Sequence, residues 1–280
     1  MGTVDNRGAI FKLSMGETQQ GRQHMTELIT LAVADRVATV TLNRPPVNAF
    51  NADMFKTFNA ILDDLAKRSD WGVLHIRSAG KVFSGGADLA EISTRFASPD
   101  KMDAAARTTR PFQELFQRIS DLPQVSLAEI GGAAMGGGFE LALGCDLRIA
   151  ANEAKLGLPE VGLGLLPGGG GTQRLTWIAG PAVAARVILA ADAIDGKTAR
   201  DLGMVQWSAP RAELEAEAKK IAQRVASLHP LALAACKVCI HLARDPERNG
   251  FAAETEWTGR LLATDETQRR VADFLAGARR

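Results

Sequence analysis

Two carboxylates stand where the chain otherwise favours dry surroundings. Glu140 lies in AMGGGFELALGCD, Ala134 to Asp146, just after three consecutive glycines. Its neighbours Phe139, Leu141, Ala142 and Leu143 are apolar on every side, and a helix that is apolar all round is buried. A buried carboxylate without a partner is costly and has a raised pKa. No cation stands one turn away, at Gly136, Gly137, Leu143 or Gly144. Glu160, in LGLPEVG from Leu156 to Gly162, is a second lone acid among apolar residues and glycines. Two carboxyls in dry surroundings share a water or move a proton at a carbon. Twenty residues separate them, so only the fold can align them. A salt-bridged structural glutamate is the plain alternative for Glu140.

Two glycine loops could serve such a pair. One is Phe83-Ser84-Gly85-Gly86-Ala87-Asp88, after a strand and before a helix; the other is Gly136-Gly137-Gly138, in the same setting. Glycine there lets a ligand approach the backbone, because no Cβ intervenes. The first turn of a helix has N–H groups without internal partners and a positive dipole end. Two such sites brought together would grip one oxygen as an oxyanion hole. Two tight turns with close packing are the alternative.

Other motifs each lack a residue that their chemistry needs. Gly196-Lys197-Thr198 lacks the glycine of a phosphate loop five residues earlier, where Ala191 stands. Gly162-Leu163-Gly164 meets Pro167 where a dinucleotide fingerprint needs its third glycine. His24, His75, His229 and His241 are scattered without metal spacing, and Ser84 has no histidine beside it in the sequence to make a triad. Cys236-Lys237-Val238-Cys239 lacks a second pair and reads as two small residues one helical turn apart. No metal site is expected.

The elements that must position these residues read as an α/β layout. Glu27–Val33 and Arg36–Leu42 form a hairpin turning at Ala34-Asp35, and Pro45-Pro46 follows the second strand. Asn51 caps a helix through Leu65. Gly72–Arg77, Val125–Ile130 and Leu147–Ala150 are strands. After about Gly203 the texture becomes helical, over Ala212–Ser227, Pro230–Arg244 and Asp265–Ala278, with strand character at Met204–Trp207. Residues 1–24 are polar and carry no apolar core for a secretory signal. His24-Met25 resembles a cloning-site scar, so a disordered or vector-derived tail is expected there. Three domain segments follow from this reading: 1–24, a core over 25–203, and a helical C-terminal region over 204–280.

Composition narrows the function classes. A net charge of +1 gives no bulk attraction to nucleic acid or an anionic membrane. No apolar run approaches the ~18 residues of a span. Three cysteines, an odd count, fit a reducing cytosol better than a disulfide framework; a cytoplasmic location is expected.

From Met25 to about Arg280 the chain resembles the enoyl-CoA hydratase/isomerase (crotonase) superfamily. The resemblance rests on Asn43-Arg44-Pro45-Pro46-Val47-Asn48-Ala49-Phe50, on Val82–Ile92, and on Ala128–Leu175, which ends Pro167-Gly168-Gly169-Gly170-Gly171-Thr172-Gln173-Arg174-Leu175. It implies a crotonase-like spiral of ββα units with a helical C-terminal trimerisation region, assembled as a homo-trimer or a hexamer made of two trimers. It implies a coenzyme A thioester whose carbonyl oxygen is held by the N–H groups of Ala87 and Gly137. Ala87, Asp88, Leu89, Gly137 and Gly168 then contact substrate, and Gly168 offers backbone to the catalytic water. Glu140 and Glu160 match the two catalytic glutamates of the hydratases, whereas isomerases generally keep only the second. The implied reaction is hydration of 2-enoyl-CoA to 3-hydroxyacyl-CoA, as in fatty-acid β-oxidation, with no cofactor beyond the coenzyme A of the substrate. A Δ3,Δ2-enoyl-CoA isomerase is the first alternative. An RNA-binding or scaffold protein of the same fold is the second, weakened by the near-neutral charge.

Several positions depart from the family's pattern. Ala90 stands where many members have a lysine near the adenine, and Leu158 replaces a frequent glutamine. The Pro45-Pro46-Val47 loop is one residue shorter than in typical short-chain hydratases, and Arg269-Arg270 replaces a usual Glu-Gly pair. The chain has no tyrosine, unlike members that use one in the C-terminal part, such as feruloyl-CoA hydratase-lyase. Phe112, Phe116 and a neighbouring subunit's C-terminal region are candidates to line the acyl pocket.

Overall fold

A computed structural model describes residues 28–245 and 247–277; the expected tail over 1–24 lies outside them. In chain order the elements begin with β1 (Ile29–Ala34), β2 (Val37–Leu42), α1 (Ala52–Leu65), β3 (Val73–Ser78), α2 (Leu89–Ser93) and α3 (Lys101–Ser120). They continue with β4 (Val125–Ile130), β5 (Ala134–Met135), α4 (Gly137–Gly144), β6 (Leu147–Ala151), β7 (Lys155–Gly157) and a 3-10 turn, Glu160–Leu163. Then come α5 (Gly171–Ala179), α6 (Pro181–Leu189), β8 (Ile194–Asp195), α7 (Gly196–Asp201) and β9 (Trp207–Ala209). Among the described residues four helices follow: α8 (Leu214–Ala226), α9 (Pro230–Leu242), α10 (Gly250–Leu262) and α11 (Asp265–Gly277).

The main sheet has six strands in the order β1-β2-β3-β4-β6-β9. Only β1 runs antiparallel to its neighbour; the hairpin turns at Asp35 and Arg36, both at positive φ, one residue beyond the expected turn. The remaining pairs are parallel. β4 is buried along its whole length, as parallel strands covered on both faces are. Asn51 caps α1 by accepting from the Met54 N–H, and Met54, Phe58, Leu62 and Leu65 pack its buried face. A small second sheet, β5-β7-β8, lies beside the first; its parallel β5–β7 pair aligns Ala134 with Leu156 and Met135 with Gly157.

Two expectations need correction. The sequence pattern gives strand character to Met204–Trp207, but the ladder with β6 begins only at Trp207. Met204 and Val205 are buried without joining it; the Met204 carbonyl accepts from the Arg148 guanidinium instead. The helical tail also contains α10, which the sequence pattern does not announce. Asn249 is its N-cap, accepting from the Ala252 N–H. α8 packs on β3, β4 and β6, so the elements after Gly203 begin inside the sheet layer. α10 and α11 contain no buried residue. Among the described residues, no single helix is long and apolar enough to cross a membrane.

Candidate active site

The first glycine loop is held by the segment before α1. Asn48 is buried at positive φ; its amide donates to the Phe83 carbonyl at 3.0 Å, and the Ser84 hydroxyl donates to the Asn48 carbonyl at 2.8 Å. Phe50 and Ala87 form a parallel bridge: the Phe50 N–H donates to the Gly86 carbonyl at 2.7 Å and the Asp88 N–H to the Phe50 carbonyl at 2.9 Å. In a parallel bridge the middle residue turns its own N–H away from the partner strand. The Ala87 N–H therefore points away from Phe50, and Ala87 lines the cavity described below.

The second loop presses against the first. Ser84 and Ala134 form another parallel bridge, with the Met135 N–H donating to the Ser84 carbonyl at 3.0 Å. A Cβ on Gly138 would fall 2.2 Å from that carbonyl oxygen, so only glycine permits the contact. At Gly86, φ is +88° and a Cβ would lie 2.8 Å from the Gly137 nitrogen. Gly137 opens α4, where an N–H has no intrahelical acceptor. Among the described residues, neither the Ala87 nor the Gly137 N–H donates to a protein acceptor.

Both glutamates line one cavity of about 590 Å³ together with Ala87, Leu89, Gly137 and Gly168. All eight residues of α4 are buried, and Glu140 is 3% exposed. Its Oε1 accepts from the Gly171 N–H at 2.7 Å. Burial pushes the Glu140 carboxyl up to about 7; the Gly171 and Gly169 N–H groups and Arg174 pull the other way, while nearby Glu160 adds to the rise. Glu160 opens the 3-10 turn, its Oε2 has no hydrogen-bond partner, and burial raises its carboxyl too. Burial thus favours the protonated form of both carboxyls, the setting in which a carboxyl can exchange a proton near neutral pH.

Asp88 is placed differently. Its carboxylate pairs with Arg44 at 2.8 Å and caps α2 through the Ala90 and Glu91 N–H groups. It borders a smaller neighbouring cavity of about 240 Å³ and not the one holding the glutamates. Phe112 lines the larger cavity, whereas Phe116 is fully buried and stacks edge-on against Phe112 from the core. A larger groove of about 830 Å³ runs along another face of α3, beside Trp177, and contains neither glutamate. Among the described residues no three potential ligands cluster as a metal site, and the three cysteines are free.

The model of the family described as enoyl-CoA hydratase/isomerase matches residues 33–277. The chain belongs to the enoyl-CoA hydratase/isomerase family. It is 40% identical over 249 residues to a probable enoyl-CoA hydratase of Bacillus subtilis, covering 88% of this chain and 95% of the relative. It is 35% identical over 257 residues to a crotonyl-CoA hydratase of Syntrophomonas wolfei, covering 89% and 95%. Among solved structures it is similar to Pseudomonas aeruginosa DspI, with TM-score 0.82, 36% identity, and coverage of 90% of this chain and 95% of that one.

In this member of the enoyl-CoA hydratase/isomerase family, sequence reasoning missed the cation near Glu140. It looked one helical turn away, but Arg174 comes from α5, with its guanidinium on the Gly169 carbonyl at 2.8 Å. Arg174 is buried, and its presence in the glycine-rich segment that leads into α5 was the available signal. Gln113 of α3, whose amide donates to the Gly168 carbonyl at 2.7 Å, is a second residue that the sequence pattern does not reveal. Nothing local in the sequence marks Gln113.

Proposed function

We propose that this protein hydrates 2-enoyl-CoA thioesters to 3-hydroxyacyl-CoA. The observation that carries the reading is the meeting, in one cavity, of two carboxyls with raised pKa and two loops of inward backbone. The thioester carbonyl oxygen lies between the Ala87 and Gly137 N–H groups. As the double bond is attacked, charge builds on that oxygen, and one such donor is worth roughly 3–4 kcal/mol. Water sits between the acids, with the Gly168 backbone facing it. Ionised Glu140 orients the water and takes its proton as the oxygen bonds to the β-carbon. Protonated Glu160 gives its proton to the α-carbon, and the proton on Glu140 passes to Glu160 to reset the pair. Thioester polarisation meets the electronic demand, so the reading requires no added cofactor; coenzyme A enters with the substrate.

An isomerase needs one acid to shuttle a proton between carbons, and a second carboxyl in the same cavity favours hydration. Parallel assays with crotonyl-CoA and a 3-enoyl-CoA test this. Hydration of crotonyl-CoA that collapses in Glu140→Ala is the expected result; hydration that survives that substitution refutes it. The reading extends to assembly as a homo-trimer or a dimer of trimers through the region 204–280. Its support is that α10 and α11 expose Phe251 and Phe274 and contain no fully buried residue.

A further inference from the structure

The Glu140 carboxyl rests on a turn of backbone, and two side chains outside the reacting pair hold that turn. A Cβ at Gly169 would fall 2.6 Å from Glu140 Oε2, so this peptide runs directly against the carboxyl. The Gln113 amide donates to the Gly168 carbonyl at 2.7 Å. One residue on, Arg174 donates to the Gly169 carbonyl at 2.8 Å and, with its other terminal nitrogen, to the Gln117 side chain at 3.1 Å. Gln113 and Gln117 lie one turn apart on α3, so α3 and α5 grip consecutive carbonyls from the same side of the structure.

The geometry of a peptide makes that grip consequential. The Gly168 carbonyl and the Gly169 N–H belong to one planar trans unit and point in opposite directions. Fixing the carbonyl toward Gln113 therefore aims the Gly169 N–H the other way, at Glu140. We propose that Gln113 and Arg174 are positioning residues: Gln113 orients the Gly169 N–H toward the Glu140 carboxylate, and Arg174 anchors the next peptide, which lies between the Gly169 and Gly171 donors. The Gly169 N–H and Arg174 both favour the ionised form of Glu140, in keeping with such a clamp. The role rests on Glu140 being the group that orients the catalytic water.

The test uses two substitutions in the full chain. Gln113→Met removes the donor while keeping side-chain length, at an exposed helical site that tolerates exchange. Arg174→Lys keeps the charge but loses the two-pronged donor. Two readouts apply: kcat and KM for crotonyl-CoA from about pH 5 to about pH 9, and a carbon-13 titration of the Glu140 carboxyl, assigned with Glu140→Gln. The clamp requires kcat to fall about tenfold or more in Gln113→Met, with KM within about twofold. It also requires the Glu140 midpoint to rise by about 0.5 pH unit or more in both variants. An unchanged midpoint in Gln113→Met overturns the proposal whatever the rate. A wild-type protein that fails to hydrate any 2-enoyl-CoA would refute the hydratase reading instead, and the carboxyl titration would still decide the clamp.

Discussion

Gly86→Ala is the sharpest perturbation of the proposed oxygen-binding geometry. A Cβ there would lie 2.7 Å from the Met135 carbonyl oxygen and 2.8 Å from the Gly137 nitrogen, against an ordinary contact of 3.4 Å or more. Both neighbours are backbone, so neither can rotate away. The two loops must separate by about 0.6–0.7 Å, the shortfall between those distances. An oxyanion donor works at about 2.7–3.1 Å, so this displacement removes most of the contribution of Gly137, roughly 3–4 kcal/mol or 10²–10³ in kcat. The φ of +88° adds a general strain of about 1–2 kcal/mol to folding.

A control separates strain from wedge. Gly203 has φ +75° and nothing within 4 Å of where its Cβ would stand, so Gly203→Ala carries comparable backbone strain without touching the site. Both variants are measured by thermal melting and by loss of enoyl-thioester absorbance with crotonyl-CoA. Similar losses of stability are expected, with a loss of kcat confined to Gly86→Ala. A folded Gly86→Ala protein retaining kcat within about threefold of wild type would refute the assignment of the Gly137 N–H.

Three further outcomes are expected. Glu140→Gln lowers kcat by about 10²–10⁴ and abolishes the limb of the pH–rate profile near 7, read by steady-state kinetics across pH. Because burial raises Glu140 from 4.5 to about 7, its stabilisation of the fold is complete below 4.5 and is lost as pH rises through about 7, by up to about 3 kcal/mol; urea unfolding across pH detects this slope in wild type and a smaller one in Glu140→Gln, where Glu160 alone remains. Leu158→Gln places a donor at a fully buried apolar position beside the point where Glu140 meets Gly171, so the midpoint of the rate profile moves to lower pH.

Much of the site was legible because its signals are local. The uniformly apolar run around Glu140 dictates a buried helix, and the burial of α4 follows from it. Asn51 and the apolar spacing behind it define α1. What stayed hidden depends on contacts between distant segments. The partner of the Asp88 carboxylate, Arg44, comes from before α1, and no local spacing announces the pair. Glu140 reads as having no cation until α5 delivers Arg174. The strand at Trp207–Ala209 starts late because the Met204 carbonyl is already committed to Arg148.

The convergence of two acids twenty residues apart has a simple origin in strand direction. Ser84, Ala134 and Leu156 stand side by side in one row, joined by a parallel bridge and a parallel strand pair. Parallel neighbours leave a sheet at the same end. Ala87 follows Ser84 by three residues, Gly137 and Glu140 follow Ala134 by three and six, and Glu160 follows Leu156 by four. All four proposed site residues therefore emerge at one edge of one small sheet, although the chain between them is long. The register is what matters: the Gly136 N–H donates to the Gly157 carbonyl at 3.0 Å, closing the row just before the chains diverge. A slip of one residue there would turn the side chains that follow to opposite faces and part the acids. The proposed catalytic pairing is thus a property of the β5–β7 alignment as much as of the two glutamates.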